Sequence, residues 1–255
     1  YDTPLMLDGG NLRGYFVPEN SQVSQIIADG LSALLNASED GLLFVVGDGN
    51  HSLATAKAHW DIIKKDLPED AHADHPARFA LVEIENIHDE GIDFEPIHRV
   101  VFGLSFDSFI SQCHDFWGKD NIIVEACSPP NPQKLYCEKE ADGMYVYLTD
   151  GEHFYRMTLK QPNHLLEVGA LQNLLDHVSE TQEDARVDYI HGFDSVLRLA
   201  DSRSVGILLP PIEKGRFFSS LSRIGVYPRK TFSMGESIEK RYYLEAKSII
   251  DTKGV

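Results

Sequence analysis

Between Leu42 and Trp60 the chain passes from an unbroken apolar run, Leu-Leu-Phe-Val-Val, through Gly-Asp-Gly-Asn-His into Ser-Leu-Ala-Thr-Ala-Lys-Ala-His-Trp. An apolar run without alternation reads as a strand covered on both faces. Gly47 and Gly49 permit a sharp turn, and Asn50 or Ser52 is placed to cap the helix that follows, from Ser52 to about Lys65. A helix opening in this way presents backbone N–H groups and a partial positive charge, which suit a phosphate or another anion. Asp48, Asn50 and His51 lie on that turn. The sequence therefore points to a site at the end of a buried strand.

The remaining pattern alternates between the two periods. Ser21–Leu35 places Val23, Ile26, Ile27, Leu31, Leu34 and Leu35 on one helical stripe. Phe79–Ile87 and Phe94–Phe102 read as strands, and Phe106–Trp117 as a helix. The Pro-rich stretch Ser128–Pro132 is the best internal break. Beyond it Lys134–Glu138, Met144–Thr149 and His153–Leu159 form an expected meander, with Asp142-Gly143 and Asp150-Gly151 as turns. Helices are expected at Leu165–Val178, Asp194–Ala200, Glu213–Ile224 and Glu236–Ile250, and strands at Val187–His191 and Val205–Leu209. The expected class is α+β, with mixed sheets and flanking helices in one compact body or two intimately packed lobes. The expected division is 1–127, an α/β lobe carrying the Asp-Gly-Asn-His turn, and 133–255, an α+β lobe with the meander and C-terminal helices.

Charge excludes one class of function. With 40 acidic against 23 basic residues the net charge is −17, which argues against general nucleic-acid binding, since phosphate neutralisation needs clustered Lys and Arg. The one dense basic cluster comprises Lys214, Arg216, Arg223, Arg229, Lys230, Lys240, Arg241 and Lys247. No apolar run approaches the roughly 20 residues of a membrane span, so no membrane partner is expected. Cys113, Cys127 and Cys137 show no Cys-x-x-Cys spacing and read as reduced, buried hydrophobes of a cytoplasmic protein. A start at Tyr1 rather than Met, without a leader, reads as a fragment whose N-terminal region lies outside it.

Several phrases carry a family resemblance: Asp8-Gly9-Gly10, Gly47-Asp-Gly-Asn-His-Ser-Leu-Ala-Thr-Ala-Lys57, His75-Pro-Ala-Arg-Phe-Ala-Leu-Val-Glu83, Glu85-Asn-Ile-His-Asp89, Glu95-Pro-Ile-His-Arg99, and Pro228-Arg-Lys-Thr-Phe-Ser-Met-Gly-Glu236 leading to Glu239–Glu245. Along the whole chain they resemble the DUF1015 family of uncharacterised proteins. Separately, Asp48-Gly-Asn-His51 is similar to the Asp-Gly-His-His-Arg turn of ParB/sulfiredoxin-like nucleotide-binding folds, which include kinases acting on free serine. That resemblance implies a turn and helix start holding nucleotide phosphates. Asn50 stands where a His is common, and Ser52 where the Arg is expected, which removes a bidentate phosphate partner that Lys57 does not simply replace.

The candidate ligand-binding residues are Gly47, Gly49, Asn50 and Ser52 of the turn, and Arg229, Lys230, Thr231 and Ser233 of the C-terminal basic segment. The candidate catalytic residues are Asp48, to position a metal or hydroxyl, and His51, to assist proton transfer near neutral pH. Lys230 and Arg229 would neutralise phosphate. His88, Glu95 and His98 offer metal-ligand chemistry but match no tight ligand motif, and no metal site is assigned. Glu83 and Glu85 read as outward-facing charges. Gly-x-Ser-x-Gly, Rossmann and P-loop signatures are absent. The expectation is a protein that binds a nucleotide or other small phosphorylated or anionic ligand, as a small-molecule phosphotransferase if it is an enzyme, with ATP and Mg²⁺ then the natural cofactors. The alternative is a non-catalytic metabolite sensor or scaffold.

Overall fold

The computed structural model describes residues 1–132, 135, 143–235 and 244–250. Packing separates the chain into Tyr1–Asp89 with Glu236–Val255, and Glu90–Gly235. The division thus falls between Asp89 and Glu90 rather than at the Pro-rich stretch.

The first unit opens with a hairpin, β1 (Asp2–Pro4) and β2 (Asn11–Arg13), followed by α1 (Gln22–Ala37) and α2 (Asn50–Ile63). Ser21 caps α1, its hydroxyl accepting from the Ser24 N–H at 3.2 Å. The α1 stripe exists as expected, but no residue of the helix is buried. Two expected strands do not form. Leu42–Val46 and Phe79–Ile87 join no ladder among the described residues, and Phe44 and Val46 are 51% and 47% exposed. An apolar run supplies strand propensity, but a strand exists only where another backbone receives its hydrogen bonds. The expected final helix is absent over Leu244–Ile249, and Glu236–Tyr243 lies outside the described residues.

The second unit is built on one sheet of seven strands, each pairing antiparallel. They are β3 (Phe94–Phe102), β4 (Ile122–Cys127), β5 (Met144–Thr149), β6 (Phe154–Leu159), β7 (Arg186–His191), β8 (Ser204–Leu208) and β9 (Phe232–Met234). The order is β4-β6-β5-β8-β3-β7, with β9 pairing the start of β3. The helices are α3 (Phe106–Trp117), α4 (Glu167–Thr181), α5 (Phe193–Leu199) and α6 (Lys214–Ile224). This is the α+β class with helices flanking open sheets.

Period two explains why the sheet is covered on both faces. Val101, Val146, Leu148, Val205 and Ile207 pack with Phe109 and Cys113 of α3 and Leu171, Leu174, Leu175 and Val178 of α4. The adjacent residues Val100, Tyr145, Tyr147 and Leu208 pack with Val196 of α5. Cys113 is among the fully buried residues and its thiol is pushed up by burial, so it acts as a small hydrophobe. Cys127 is half-buried, and Cys137 lies outside the described residues. Among the described residues no helix is long and apolar enough to cross a membrane.

Candidate functional site

The Gly47–Ser52 turn belongs to the first unit and lies on the surface, with Asp48, Asn50, His51 and Ser52 all exposed. Gly49 sits at φ +82°, a left-handed conformation glycine adopts without penalty, and it is the residue from which the helix starts. Its carbonyl accepts the first intrahelical bond, from Leu53 N–H at 2.9 Å. Neither Asn50 nor Ser52 caps α2. Asn50 is already the first helical residue, the N-cap position is a glycine that supplies no side-chain cap, and no acidic residue lies in the first turn. Asp48 turns its Oδ1 back on the Gly49 N–H at 2.7 Å, outside the helix. Lys57, the nearest cation along the helix, pairs instead with Asp61 at 2.6 Å. Lys57 and Lys64 together hold the Asp61 carboxyl down to about 2. The turn therefore offers backbone donors and a helix dipole rather than a side-chain cation.

The second group lies in the other unit. Phe217 of α6 packs on Phe94, Phe232 and Tyr227 with ring centroids 5.0, 5.8 and 5.1 Å away, and this aromatic cluster holds α6, the segment after it and β9 to the start of β3. Phe217 also meets Phe218 edge to face at 5.8 Å, so this aromatic pair serves packing. Between Tyr227 and β9 the chain makes a tight loop. The Thr231 hydroxyl donates to the Pro228 carbonyl, Lys230 stands at φ +58°, and Arg229 and Lys230 are exposed. Thr231 is buried, and its carbonyl accepts from Ile97 N–H at 3.4 Å. Ser233 lies opposite Glu95 in the β3–β9 ladder, its hydroxyl 3.4 Å from His191 Nδ1. The structure therefore brings Arg229, Lys230, Thr231 and Ser233 to one edge of β3.

Beneath that loop lie His98, weighed in the sequence as a metal ligand, and Arg99, which the sequence marked only within the Glu95–Arg99 phrase. His98 and Arg99 occupy consecutive positions of β3 and are 3% and 0% exposed. His98 Nδ1 accepts from Leu209 N–H at 3.1 Å. Burial, then the charges of Arg99 and His191, lower its pKa to about 4, so the ring is neutral and occupied as a structural acceptor. The Arg99 guanidinium lies 4.4 Å from the centre of the Tyr189 ring. It donates to the carbonyls of Ile97, His98 and Lys230, the last at 2.9 Å. Its Nε has no acceptor, and among the described residues no carboxylate pairs with it. Burial lowers its pKa to about 10, which leaves it a cation.

Thr231 also borders a cavity of about 80 Å³ whose polar lining is Glu167, Glu213, Arg216, Ser220 and Thr231. The hydroxyls are engaged: Ser220 donates to backbone carbonyls and pairs with the Tyr227 hydroxyl at 2.6 Å. Two carboxylates beside one guanidinium make this a mixed surface rather than an anion pocket. Among the described residues no cluster of three His, Cys, Asp or Glu side chains is arranged to hold a metal. Of the basic residues, Lys240 and Arg241 lie outside the described residues, and Lys247 donates to the Pro76 carbonyl at 2.9 Å in the first unit.

Neither a curated protein nor a solved structure matches the chain. A family model described as a protein of unknown function, DUF1015, matches residues 1–178, which include the α2 turn and the His98-Arg99 pair of β3. The chain belongs to the DUF1015 family.

Proposed function

We propose that this protein binds a small phosphorylated or otherwise anionic ligand, with a nucleotide the leading candidate. The observation that carries the reading is the start of α2: a glycine at φ +82°, with no side chain to cap the helix, opens 14 helical residues whose first turn has no acidic residue. The backbone N–H groups of a helix start and the positive end of its dipole favour negative charge there, and in a chain of net charge −17 the first turn itself carries no acidic residue. The Pro228–Ser233 loop supports the same class of ligand through Arg229 and Lys230, both exposed on a constrained backbone.

With a nucleotide and Mg²⁺ as ligand, the reaction is phosphoryl transfer to a small hydroxyl compound. Asp48 then positions the metal or the hydroxyl, and His51 assists the proton transfer. The second reading, a non-catalytic sensor, is favoured by the Asp48 carboxylate being turned onto the Gly49 N–H and by Ser52 in the place of an arginine.

A thermal-shift series with ATP, ADP, other nucleotides and inorganic phosphates, with and without Mg²⁺, tests the binding. A ligand at one hundred times its dissociation constant stabilises the fold by about 2.7 kcal/mol, well within detection. The expected result is a shift that His51→Ala and Asp48→Ala weaken, accompanied by slow nucleotide turnover for the enzyme and by none for the sensor. A shift left intact in both variants would remove the turn from the site.

A further inference from the structure

We propose that Arg99 is the positioning residue of the Pro228–Thr231 loop: from beneath, its buried guanidinium fixes the loop backbone and supplies the positive charge that makes the loop receptive to phosphate. The inference rests on reading that loop as an anion contact. Arg99 has no surface exposure, so it acts through the loop rather than by touching a ligand.

Three observations lead there. The first is that no carboxylate among the described residues pairs with Arg99. A buried cation is ordinarily paired with a carboxylate, because desolvation penalises an isolated charge heavily. Among the described residues Arg99 is instead met by the carbonyl dipoles of Ile97, His98 and Lys230 and by the face of Tyr189. Those partners solvate the guanidinium without cancelling its charge, so its field persists at the loop above it.

The second is the direction of the Lys230 peptide. Its carbonyl points inward to Arg99 at 2.9 Å. Among the described residues no peptide bond is cis, and in a planar trans peptide the N–H points opposite to the carbonyl. The Thr231 N–H is therefore aimed away from the guanidinium. One hydrogen bond thus sets both the inward carbonyl and the outward donor. The third is strain. Lys230 is held at φ +58°, a conformation an L-residue with a long side chain adopts only when its surroundings require it. The Arg99 bond at the following carbonyl and the Thr231 hydroxyl bond across the turn supply that requirement.

Lysine cannot replace Arg99 in this role. An ammonium carries the charge, but it cannot reach three carbonyls in a planar fork while stacking on Tyr189. The experiment follows the backbone amides of Arg229, Lys230 and Thr231 by ¹⁵N NMR during titration with inorganic pyrophosphate and with ATP. It compares the wild type, Arg99→Lys, Arg99→Met, and the loop variants Arg229→Ala and Lys230→Ala. The wild type is expected to show saturable shifts at these amides. Arg99→Lys should weaken pyrophosphate tenfold or more at the loop, while any response of the Asn50–Ser52 amides is unchanged. That separation is one that general destabilisation would not produce.

If Arg229→Ala and Lys230→Ala weaken binding but Arg99→Lys and Arg99→Met match the wild type, the positioning role is overturned and the loop remains a contact. If the wild type shows no shift at the loop amides, the loop reading fails and this inference fails with it. Should Arg99→Met not fold, Tyr189→Leu keeps the charge but removes the ring beneath it. The guanidinium fork then loses one support, and a several-fold loss at the loop amides is expected, whereas unchanged affinity in both Tyr189→Leu and Arg99→Lys would overturn the role.

Discussion

At the scale of single residues, β3 carries two neighbours with opposite electrostatic fates. Arg99 stays charged because its pKa starts far above neutrality, and a fall to about 10 still leaves it protonated. His98 is buried as the neutral ring, with its pKa at about 4. Its Nδ1 accepts the Leu209 N–H, so protonation would set two N–H groups against each other and place a second cation beside Arg99. The unfolded chain takes up this proton near pH 6.5, the folded chain only near pH 4. Stability from His98 is therefore complete above about pH 6.5 and is lost as pH falls towards 4, a contribution of about 3 kcal/mol. Two measurements check this. The His98 ring proton should titrate in NMR with a midpoint near 4. The difference in unfolding free energy between wild type and His98→Gln should shrink steadily from pH 6.5 to pH 4, and a difference that is flat across that range would show that His98 is not held neutral.

At the scale of elements, the α2 start makes stability and binding pull in opposite directions. Asn50→Asp adds a carboxylate to a first turn that has none, which complements the helix dipole and should stabilise α2 by about 0.3–1 kcal/mol. The same carboxylate occupies the electrostatic position proposed for the ligand and should weaken ATP binding several-fold. A variant that gains stability and keeps full affinity would place the ligand elsewhere. Element boundaries also show what the sequence could convey. Helix α3 forms over the expected Phe106–Trp117, and β3 and β5 over Phe94–Phe102 and Met144–Thr149, because each has a strong local period and clear flanking signals. Strands Ile122–Cys127 and Phe232–Met234 escaped notice, and Leu42–Val46 was expected but does not form. Pairing decides all three, and pairing joins residues far apart in the chain: Phe232 finds Pro96, and Cys127 finds Phe154. The site follows the same division. The Gly49 turn was legible because glycine and helix signals are local, whereas the meeting of Arg99 with Lys230 joins positions 131 apart and has no local signature.

At the scale of the whole molecule, hydrophobic burial is divided unequally. Among the described residues the second unit holds the buried core, including Val100, Leu148, Leu174, Val205 and Ile207 at 0% exposure. Among its described residues the first unit holds one buried apolar residue, Ala77 at 7%, while Ile26, Leu34, Val82 and Ile84 are each at least 58% exposed. Burial of apolar surface contributes about 25 cal/mol per Å², so a unit that covers so few side chains offsets little of its conformational entropy. Local unfolding free energy should therefore differ sharply between the units. Native-state hydrogen exchange can read this directly, with amides of β3, β5 and β8 exchanging only on global unfolding and those of α1 and α2 exchanging orders of magnitude faster. Unfolding in urea should correspondingly occur in two steps, the first reporting on Trp60 of the first unit and the second on Trp117 of the second. A ligand bound at the α2 start stabilises only the state in which α2 is folded, so it should slow exchange in α2 and move the first urea step towards the second. Equal protection in α1 and β3, or coincident steps for both tryptophans without ligand, would show that the first unit draws its stability from interactions beyond its own buried side chains.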